Sequence, residues 1–449
     1  FWRAATAPVR GRLRPPAGCI LTMCFMTNRK GATDMAKKRD IVIKKRKTAR
    51  KAETSAETTD TTAEESPRRR RRHGRSLLWV LFTRLLVVAV LLLLVVAVWK
   101  NWDTIAPSTV LDWINAKVTG GDAGDGYPLS ITGNSVVDMA SAESNVVLVT
   151  DTSMLMYNAN GAQVMNRSHT FANPLLETAG SYLLVADIGG TRFQLGTRKE
   201  TVFEKQTAYP LLSAAVGAGG HVAVVTESGQ SYTSEMIVYD KKGKEQFHWY
   251  SSELTAVGTA ISADGKHAAV LGLSAEGGRM RSTLLVFDVA GGQKEAVASY
   301  SAVDVMMCAA AFDENGRVLA VGDTAAWIYD VETKTCQVQD YSDQELLGYA
   351  FGKTGMVLVT HRYGSGNNGE WTLLGGGSPV TGTLSGSYRH VSAAKDAFYL
   401  LTSDTVTALT AAGETGQTDV KGDGLLVASL DGQPLVLGLT TLTQYPLQG

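Results

Sequence analysis

One short apolar motif recurs along the chain, and it restricts the possible folds more than any other feature. Its copies are VVLVTD from Val146, YLLVAD from Tyr182, HVAVVTE from His221, HAAVLGL from His267, RVLAVGD from Arg317, MVLVTH from Met356, FYLLTSD from Phe398 and PLVLGLT from Pro434. Consecutive copies begin about 36 to 50 residues apart, with a mean of about 41 residues. Self-similarity at such a period is typical of repeat architectures, in which each repeat is one supersecondary unit.

The residues around each copy follow a common order, which is clearest at residues 308–340. A small-residue stretch, CAAAF, leads into the tight turn DENG and then the apolar motif. A second apolar run, AWIYD, ends in an aromatic and an acidic residue, and the turn VETK leads to the polar run TCQVQD. Glycine permits the positive φ angles of tight turns, and Asp or Asn caps them. The pattern predicts four β-strands joined by three hairpins.

The second strand of each unit is apolar throughout and lacks the alternation of a strand with one face in water. A strand in mid-sheet with both faces covered has this character. Radially stacked four-stranded sheets cover their inner strands in this way and leave the outermost strands polar. The sequence therefore predicts an all-β fold, an eight-bladed β-propeller over residues 127–449. Seven blades is the alternative, if the weak unit around Tyr182 is not a blade.

The two ends of the predicted ring have to be joined. The last unit, LLVASLDGQPLVLGLTTLTQYPLQG, has room for three strands only. The segment YPLSIT, residues 127–132, precedes the first unit and otherwise lacks a partner. We expect it to supply the outer strand of the last blade, because this pairing removes the free sheet edges that promote aggregation.

A strongly apolar segment occupies residues 77–98 and reads LLWVLFTRLLVVAVLLLLVVAV, with Arg84 as its one charge. It is long enough to cross a hydrocarbon core of about 30 Å at about 1.5 Å per residue. We therefore expect one transmembrane helix over residues 76–99, with a buried helix of a soluble core as the alternative. RRRRRHGRS precedes this segment, whereas only Lys100 follows closely. The positive-inside rule predicts a single-pass protein of the cell membrane with a cytoplasmic N-terminus and an extracytoplasmic propeller.

Three further segments surround the predicted span. Residues 35–75 are basic and poor in large apolar side chains, which predicts a disordered cytoplasmic arm close to anionic lipid. Nucleic-acid binding is the alternative for such basic runs, but beside a span they usually set orientation, so no nucleic-acid partner is expected. Residues 1–34 fit neither a signal peptide nor a regular element, which suggests a non-native or over-extended start before Met35. Residues 100–126 predict a short helix followed by a Gly-rich linker.

The blade pattern resembles WD-type and quinoprotein-like propellers. The succession of basic tail, single span, short helix, Gly-rich joint and propeller, from Met35 to the end of the chain, resembles an uncharacterised family of membrane-anchored propeller proteins from Gram-positive bacteria. That resemblance covers nearly the whole chain and implies the fold and the anchoring. It assigns no catalytic residue.

Several motifs could carry chemistry, but each fits a simpler structural interpretation. GSGNNG, residues 364–369, matches the glycine pattern of a dinucleotide site, but the strand-like EWTLLGGG follows it where such a site needs a helix, so a hairpin loop is expected. The acidic turns at 313–316 and 419–424 lack the run of oxygen ligands found in a calcium loop. Cys308 and Cys336 are expected on the first and last strands of one blade, too far apart for a disulfide.

Neither a cofactor, nor a metal, nor an enzymatic activity is expected. Quinoprotein enzymes carry tryptophans at repeated blade positions, whereas Trp249, Trp327 and Trp371 do not match one another in position. The histidines of the predicted propeller are scattered over different blades without the spacing of paired ligands. They are His169, His221, His248, His267, His361 and His390.

Ligand recognition by a propeller is expected at loops around one end of its central channel. Aromatic and basic residues assigned to such loops are the candidates for this role. They are Arg192, Phe193, Trp249, Arg362, Tyr363, Trp371 and Tyr388. The favoured function is a protein-interaction scaffold in the cell envelope that binds another envelope protein. The alternative is a receptor or sensor for a small molecule or cell-wall glycan, which predicts aromatics converging on one face, whereas a scaffold predicts one broad exposed patch.

Overall fold

The computed structural model describes residues 126–131, 135–229, 231–364, 369–375, 377–421 and 423–447. Within these ranges the regular structure consists of β-strands, which form eight sheets of four strands each. The prediction of an all-β, eight-bladed propeller is therefore confirmed. The unit around Tyr182 is a full blade, so the seven-bladed alternative is wrong.

The blades are numbered in chain order. Blade 1 contains β2 (Val136–Ala142), β3 (Asn145–Thr150), β4 (Ser153–Tyr157) and β5 (Gln163–Ser168), and blade 2 contains β6 (Pro174–Ala179), β7 (Tyr182–Asp187), β8 (Arg192–Thr197) and β9 (Thr201–Gln206). Blade 3 contains β10 (Leu211–Val216), β11 (Val222–Glu227), β12 (Ser234–Tyr239) and β13 (Glu245–Ser251), and blade 4 contains β14 (Thr255–Ile261), β15 (His267–Glu276), β16 (Arg279–Asp288) and β17 (Ala298–Val303). Blade 5 contains β18 (Met307–Phe312), β19 (Val318–Gly322), β20 (Ala325–Asp330) and β21 (Thr335–Asp340), and blade 6 contains β22 (Gln344–Phe351), β23 (Met356–Arg362), β24 (Gly369–Leu374) and β25 (Val380–Thr383). Blade 7 contains β26 (Tyr388–Ala393), β27 (Phe398–Thr402), β28 (Thr405–Thr410) and β29 (Gly413–Asp419), and blade 8 contains β30 (Leu426–Leu430), β31 (Gln433–Leu437), β32 (Thr441–Gln444) and β1 (Leu129–Ser130).

The hydrophobic core lies between blades. Each cluster of buried apolar side chains joins two neighbouring blades, and the series runs around the ring from blades 1 and 2 to blades 8 and 1. The second strands carry most of this core, and β3 is buried along its whole length. The second strands are apolar without interruption because one face of each strand packs on the preceding blade and the other face packs on the following blade.

The ring closes through β1, as the sequence predicts. Leu129 lies opposite Leu442 and Ser130 lies opposite Thr441, so β1 is the outermost strand of blade 8. At the channel, the first strand of blade 1 contacts the first strand of blade 8. The chain thus links its first and last blades by both an inner and an outer contact.

The alternating strand directions give the propeller two different faces. The turn face carries the connections from first to second strands and from third to fourth strands. The linker face carries the connections from second to third strands and the segments that pass from one blade to the next. The described chain enters at the turn face, where the Gly126 amide donates to Asn160 O (3.0 Å) and the Tyr127 hydroxyl donates to Asn158 O (2.9 Å).

Several smaller predictions can be compared with the structure. β24 begins at Gly369, so the glycine motif is followed by a strand as expected, although residues 365–368 lie outside the described chain. Cys308 and Cys336 lie on β18 and β21 and are free. The predicted N-terminal extension, basic arm, membrane span and short helix, residues 1–125, also lie outside the described residues.

Candidate functional site

The first strand of each blade is the innermost, and these strands line the central channel. In six of them the pairing with the second strand skips one residue just after the strand begins, at the linker-face end. A bulge of this kind re-aims the skipped side chain. The skipped residues are Val137, Leu212, Val257, Cys308, Leu347 and Arg389. Leu212, Val257 and Leu347 pack against the clusters between blades, so these three bulged side chains extend the inter-blade core toward the linker face.

Deeper in the channel the wall is acidic on one side. Glu177 on β6 is reached by water although it belongs to an innermost strand, so its side chain faces the channel. The surrounding protein desolvates the carboxylate and the negative Asp138 of β2 repels it, which together raise the pKa of Glu177 to about 7. Desolvation by the nearby protein likewise raises the pKa of the Cys308 thiol to about 11, so that thiol is a poor nucleophile at neutral pH.

Exposed large apolar side chains are concentrated on the linker face. Apart from Val297 and Val338, those in the described chain lie in linker-face connections or at the strand ends beside them. They are Tyr232, Tyr250, Met280, Val303, Met306, Tyr363, Leu425 and Leu439. Lysines show the opposite distribution, since all in the described chain except Lys205 and Lys421 lie at the turn face. The two faces thus differ in chemistry.

Blade 4 projects further at the linker face than the other blades. Strands β15 and β16 each contain 10 residues, whereas the remaining strands contain 8 or fewer. Met280 near the tip is 44% exposed and Met306 beside the hairpin is 41% exposed. The Arg279 Nε atom donates to Asp304 Oδ1 (3.0 Å), which ties the hairpin to the linker that follows blade 4. The pairing of β15 with β16 builds the projection, the ion pair connects it to the linker, and Met280 gives it an exposed apolar side chain.

Blade 3 carries an aromatic group at the linker-face end of its outer strands. The Tyr232 and Tyr250 rings lie 5.0 Å apart between centroids, and the His248 ring stacks on Tyr250 at 4.3 Å. Beneath these rings, the His248 Nε2 atom lies 3.1 Å from the buried Glu235 Oε2 and the Nδ1 atom lies 3.2 Å from Glu245 Oε1. Strand pairing places Glu235 opposite Tyr250, which brings carboxylate and aromatic groups together.

Three of the seven predicted recognition residues belong to the core. Phe193, Trp371 and Trp249 are 0%, 4% and 9% exposed and lie in strands β8, β24 and β13. Their assignment to exposed loops was wrong, because each large side chain fills space between two blades. They are the kind of aromatic residue that a propeller needs for packing.

The other four predicted residues are distributed over blades 2, 6 and 7. Arg192 begins β8, and its Nη2 atom donates to Thr170 Oγ1 (2.7 Å). Arg362 ends β23 in an exposed position, and Tyr363 follows it at 65% exposure.

Tyr388 begins β26 and packs against Gly348 so closely that a side chain there would overlap its hydroxyl group. Burial raises the pKa of Tyr388 to about 12. All four residues lie toward the linker face, but only Tyr363 is in a connection rather than a strand, so the loop assignment was wrong for the other three.

The exposed residues Tyr232, Tyr250, Met280 and Met306 did not emerge from the sequence. Each follows or precedes an apolar strand and has no distinguishing local pattern. The one available signal was the unusual length of the run from His267 to Asp288, which has no turn residue before the glycines at 277 and 278. That length indicates a hairpin that extends beyond its neighbours.

A family model described as a family of unknown function, DUF5711, matches residues 127–421. The chain belongs to the DUF5711 family. The match begins at the residue predicted to start the propeller and covers the first seven blades. No functionally curated protein matches the chain.

Three solved structures align with this DUF5711 protein. The C-terminal WD40 domain of Sif2 aligns with a TM-score of 0.50 and 10% identity over 72% of this chain and 99% of that domain. A chain of a mitotic checkpoint complex aligns with a TM-score of 0.43 and 12% identity, covering 72% of this chain and 95% of that one. Hydrazine synthase of Kuenenia stuttgartiensis aligns with a TM-score of 0.41 and 11% identity, covering 71% of this chain and 98% of that one. At these identities the Sif2 likeness establishes the fold alone.

Two properties of the described residues of the DUF5711 protein concern metal binding and membrane spanning. In the described ranges, groups of three or more His, Cys, Asp or Glu side chains that could hold a metal ion are absent. The same ranges contain no helix of the length and apolarity that a membrane span requires, and residues 77–98 fall outside them.

Proposed function

We propose that this DUF5711 protein is a membrane-anchored, extracytoplasmic scaffold that binds another protein of the cell envelope through the linker face of its propeller. The concentration of exposed apolar side chains on that face carries the proposal. Apolar surfaces rimmed by polar residues mark protein-interaction sites. Aromatic residues and methionine are also enriched at such sites relative to other surface.

The sequence before the propeller supports the anchoring part of the proposal. Residues 77–98 have the length and apolarity of a membrane span, and the basic residues before them favour a cytoplasmic N-terminus. Gly126 and Tyr127 attach to the turn at residues 158–162, so the polypeptide enters on the turn face. The apolar linker face is on the opposite side of the propeller from this entry.

The alternative of a glycan receptor receives less support from the predicted aromatic residues. Trp249 and Trp371 pack between blades, and Tyr388 packs against the neighbouring first strand. Only Tyr363 among these four aromatics has a largely exposed ring. The four therefore do not form the converging aromatic surface that a glycan receptor would show.

Site-specific crosslinking in the native membrane tests the scaffold. A photoreactive amino acid is placed at Met280, Met306 or Tyr363 on the linker face and, as controls, at Lys353 or Lys395 on the turn face. We expect discrete protein adducts from the linker-face positions and weaker, non-discrete labelling from the turn face. Equal labelling from both faces, or recovery of wall fragments alone, would overturn the proposal.

The membrane part of the proposal has its own test. Protease added outside intact cells should degrade the propeller, whereas an epitope placed before residue 68 should be protected until the membrane is opened. A protected propeller in intact cells, with both regions cut after lysis, would contradict the predicted orientation.

A further inference from the structure

The aromatic group on blade 3 forms a surface that is distinct from the rest of the linker face. We call Tyr232, His248 and Tyr250 the tyrosine patch. Tyr232 is 47% exposed and Tyr250 is 38% exposed, yet their rings contact each other and His248 stacks on Tyr250. The Tyr250 hydroxyl lies 3.4 Å from His248 Nδ1. The rings are thus held together by contacts within one blade while remaining open to solvent.

Blade 3 carries several carboxylates beneath the tyrosine patch or at the same end of the blade. Glu235 is 5% exposed, and its carboxylate accepts a hydrogen bond from Thr226 Oγ1 (3.0 Å) and contacts His248. Glu245 contacts the other nitrogen of the same imidazole. Glu227 ends β11 and Glu253 follows β13, and both are exposed at the same end of the blade.

The positive charge near the patch is smaller than the negative charge. In the described chain, the Glu235 and Glu245 carboxylates contact His248, and neither forms a salt bridge with a lysine or arginine. One imidazole supplies at most one positive charge, whereas it faces two carboxylates. The negative charge also acts on the Tyr250 hydroxyl. Its pKa is raised by desolvation and, to a smaller extent, by the charges of Glu235 and Glu245.

We propose that the tyrosine patch binds a lysine or arginine side chain in a basic segment of the partner protein. The inference rests on the proposed scaffold function and specifies where and by what chemistry one part of the partner is recognised. Tyrosine rings attract cations through their negative faces. Carboxylates close to the rings add charge complementarity and favour a basic partner over an acidic one. Tyrosine is also frequent among the residues that dominate interface energetics.

Peptide binding to the full-length protein in detergent micelles tests the inference. The probes are an acetylated Gly-Arg-Gly-Arg-Gly amide, the matching Gly-Glu-Gly-Glu-Gly amide and an N-acetylglucosamine trisaccharide. Tyrosine rings carry a 13C label, so shifts of Tyr232 and Tyr250 report the location of binding. We expect the arginine peptide to shift these two signals and the other two probes to leave them unchanged.

Variants separate the patch from the rest of the face. Tyr232→Ala should weaken arginine-peptide binding about tenfold, because half of the aromatic surface is lost. The matched control Tyr363→Ala removes an exposed tyrosine on the same face and should leave affinity unchanged. Glu253→Gln should weaken binding less than Tyr232→Ala. A variant that loses the native circular dichroism spectrum is left out of the comparison. The 13C shifts of Tyr232 and Tyr250 in the unaltered protein then still show whether the arginine peptide binds at the patch.

The outcomes distinguish this inference from the scaffold itself. Trisaccharide shifts at the two tyrosines, or equal affinity for both peptides, would overturn recognition of a cation. If crosslinks from Met280 persist in the Tyr232→Ala protein while peptide binding is absent, the scaffold survives and the inference fails. If crosslinks from the linker face are absent altogether, the scaffold fails.

Discussion

Burial changes sharply between adjacent residues at the ends of blade strands. Phe193 is 0% exposed, packed edge-on to Phe203 and tilted against Tyr239 of the next blade. Arg192, one residue earlier, points to the other face of the sheet, where its guanidinium lies 5.5 Å from the Phe171 ring. Successive side chains of a strand point to opposite sides, so a shift of one residue decides between core and surface.

This difference between core and surface predicts that replacing a buried and an exposed aromatic residue by alanine will affect stability unequally. Phe193→Ala should lower the free energy of unfolding by about 3–5 kcal/mol, because it leaves a cavity between blades 2 and 3. Tyr363→Ala, at a 65% exposed position, should change it by less than about 0.5 kcal/mol. Urea denaturation followed by tryptophan fluorescence measures both. Similar losses from the two variants would show that Phe193 is not a core residue.

The channel carboxylate predicts a dependence of stability on pH. The pKa of Glu177 is raised from 4.5 to about 7, so the folded state holds this proton more tightly than the unfolded state. Below pH 4.5 both states are protonated and the group has little effect. As pH rises from about 4.5 to about 7, the unfolded state loses the proton first, and the contribution of Glu177 becomes destabilising.

The titration itself can be measured at the carboxyl carbon of Glu177 by 13C NMR. We expect a midpoint near 7 that moves to lower pH in Asp138→Asn, because that change removes a repelling charge. Glu177→Gln should reduce the loss of stability between pH 5 and 8. A midpoint below 5 in the unaltered protein would contradict a desolvated carboxylate in the channel.

At the scale of elements, the hairpin turns at the turn face also connect blades. The Asp313 carboxylate accepts hydrogen bonds from the Asn315 and Arg317 amides, which fixes the DENG turn of blade 5. The Arg317 side chain contacts the same carboxylate and donates to Thr354 O (2.8 Å) and Gly375 O (3.2 Å) in blade 6. An acidic turn residue that resembles part of a calcium loop thus serves to cap a turn and orient an arginine.

Removing this arginine should destabilise the contact between blades 5 and 6. Arg317→Met keeps most of the aliphatic stem but leaves the fully buried Asp313 side chain without a cation, which should cost about 3–5 kcal/mol. Arg317→Met combined with Asp313→Asn should recover part of the loss, since the amide oxygen can still accept from the turn. Denaturant unfolding measures the free energy of unfolding of both variants. A double variant that is less stable than Arg317→Met alone would contradict the proposed dependence of Asp313 on Arg317.

The eight second strands could be predicted from the sequence because burial of both faces demands an uninterrupted apolar run. Their turns were also predictable, since positive φ and carboxylate capping restrict the residues allowed. The binding surface was not predictable in the same way. Tyr232 and Tyr250 are 18 positions apart and meet only through the pairing of β12 with β13, whereas Trp249 adjoins Tyr250 and is buried.

At the scale of the whole molecule, the ring depends on joining its ends. Each blade buries its faces against two neighbours, so blades 1 and 8 would each lose one buried face in an open ring. The outer pairing of β1 with β32 is short, but the inner contact is reinforced where the Ser141 hydroxyl donates to Ser429 O (2.9 Å) and accepts from the Ser429 amide (2.8 Å). Closure of the ring and packing of the core between blades 1 and 8 therefore depend on each other.

A disulfide across the outer pairing should stabilise the closed ring. Ser130 and Thr441 are both exposed and directly opposite each other, and opposed residues of antiparallel strands have Cα atoms about 4.5–5.5 Å apart, within the range that a disulfide allows. Ser130→Cys with Thr441→Cys, oxidised, should raise the free energy of unfolding by about 2–4 kcal/mol, because the unfolded chain loses the freedom of a very long loop. The reduced double variant and each single variant are the controls and should unfold like the unaltered protein. If the oxidised protein gains nothing over its reduced form, opening at the β1–β32 contact does not limit unfolding, and the ring is held by its inner contacts alone.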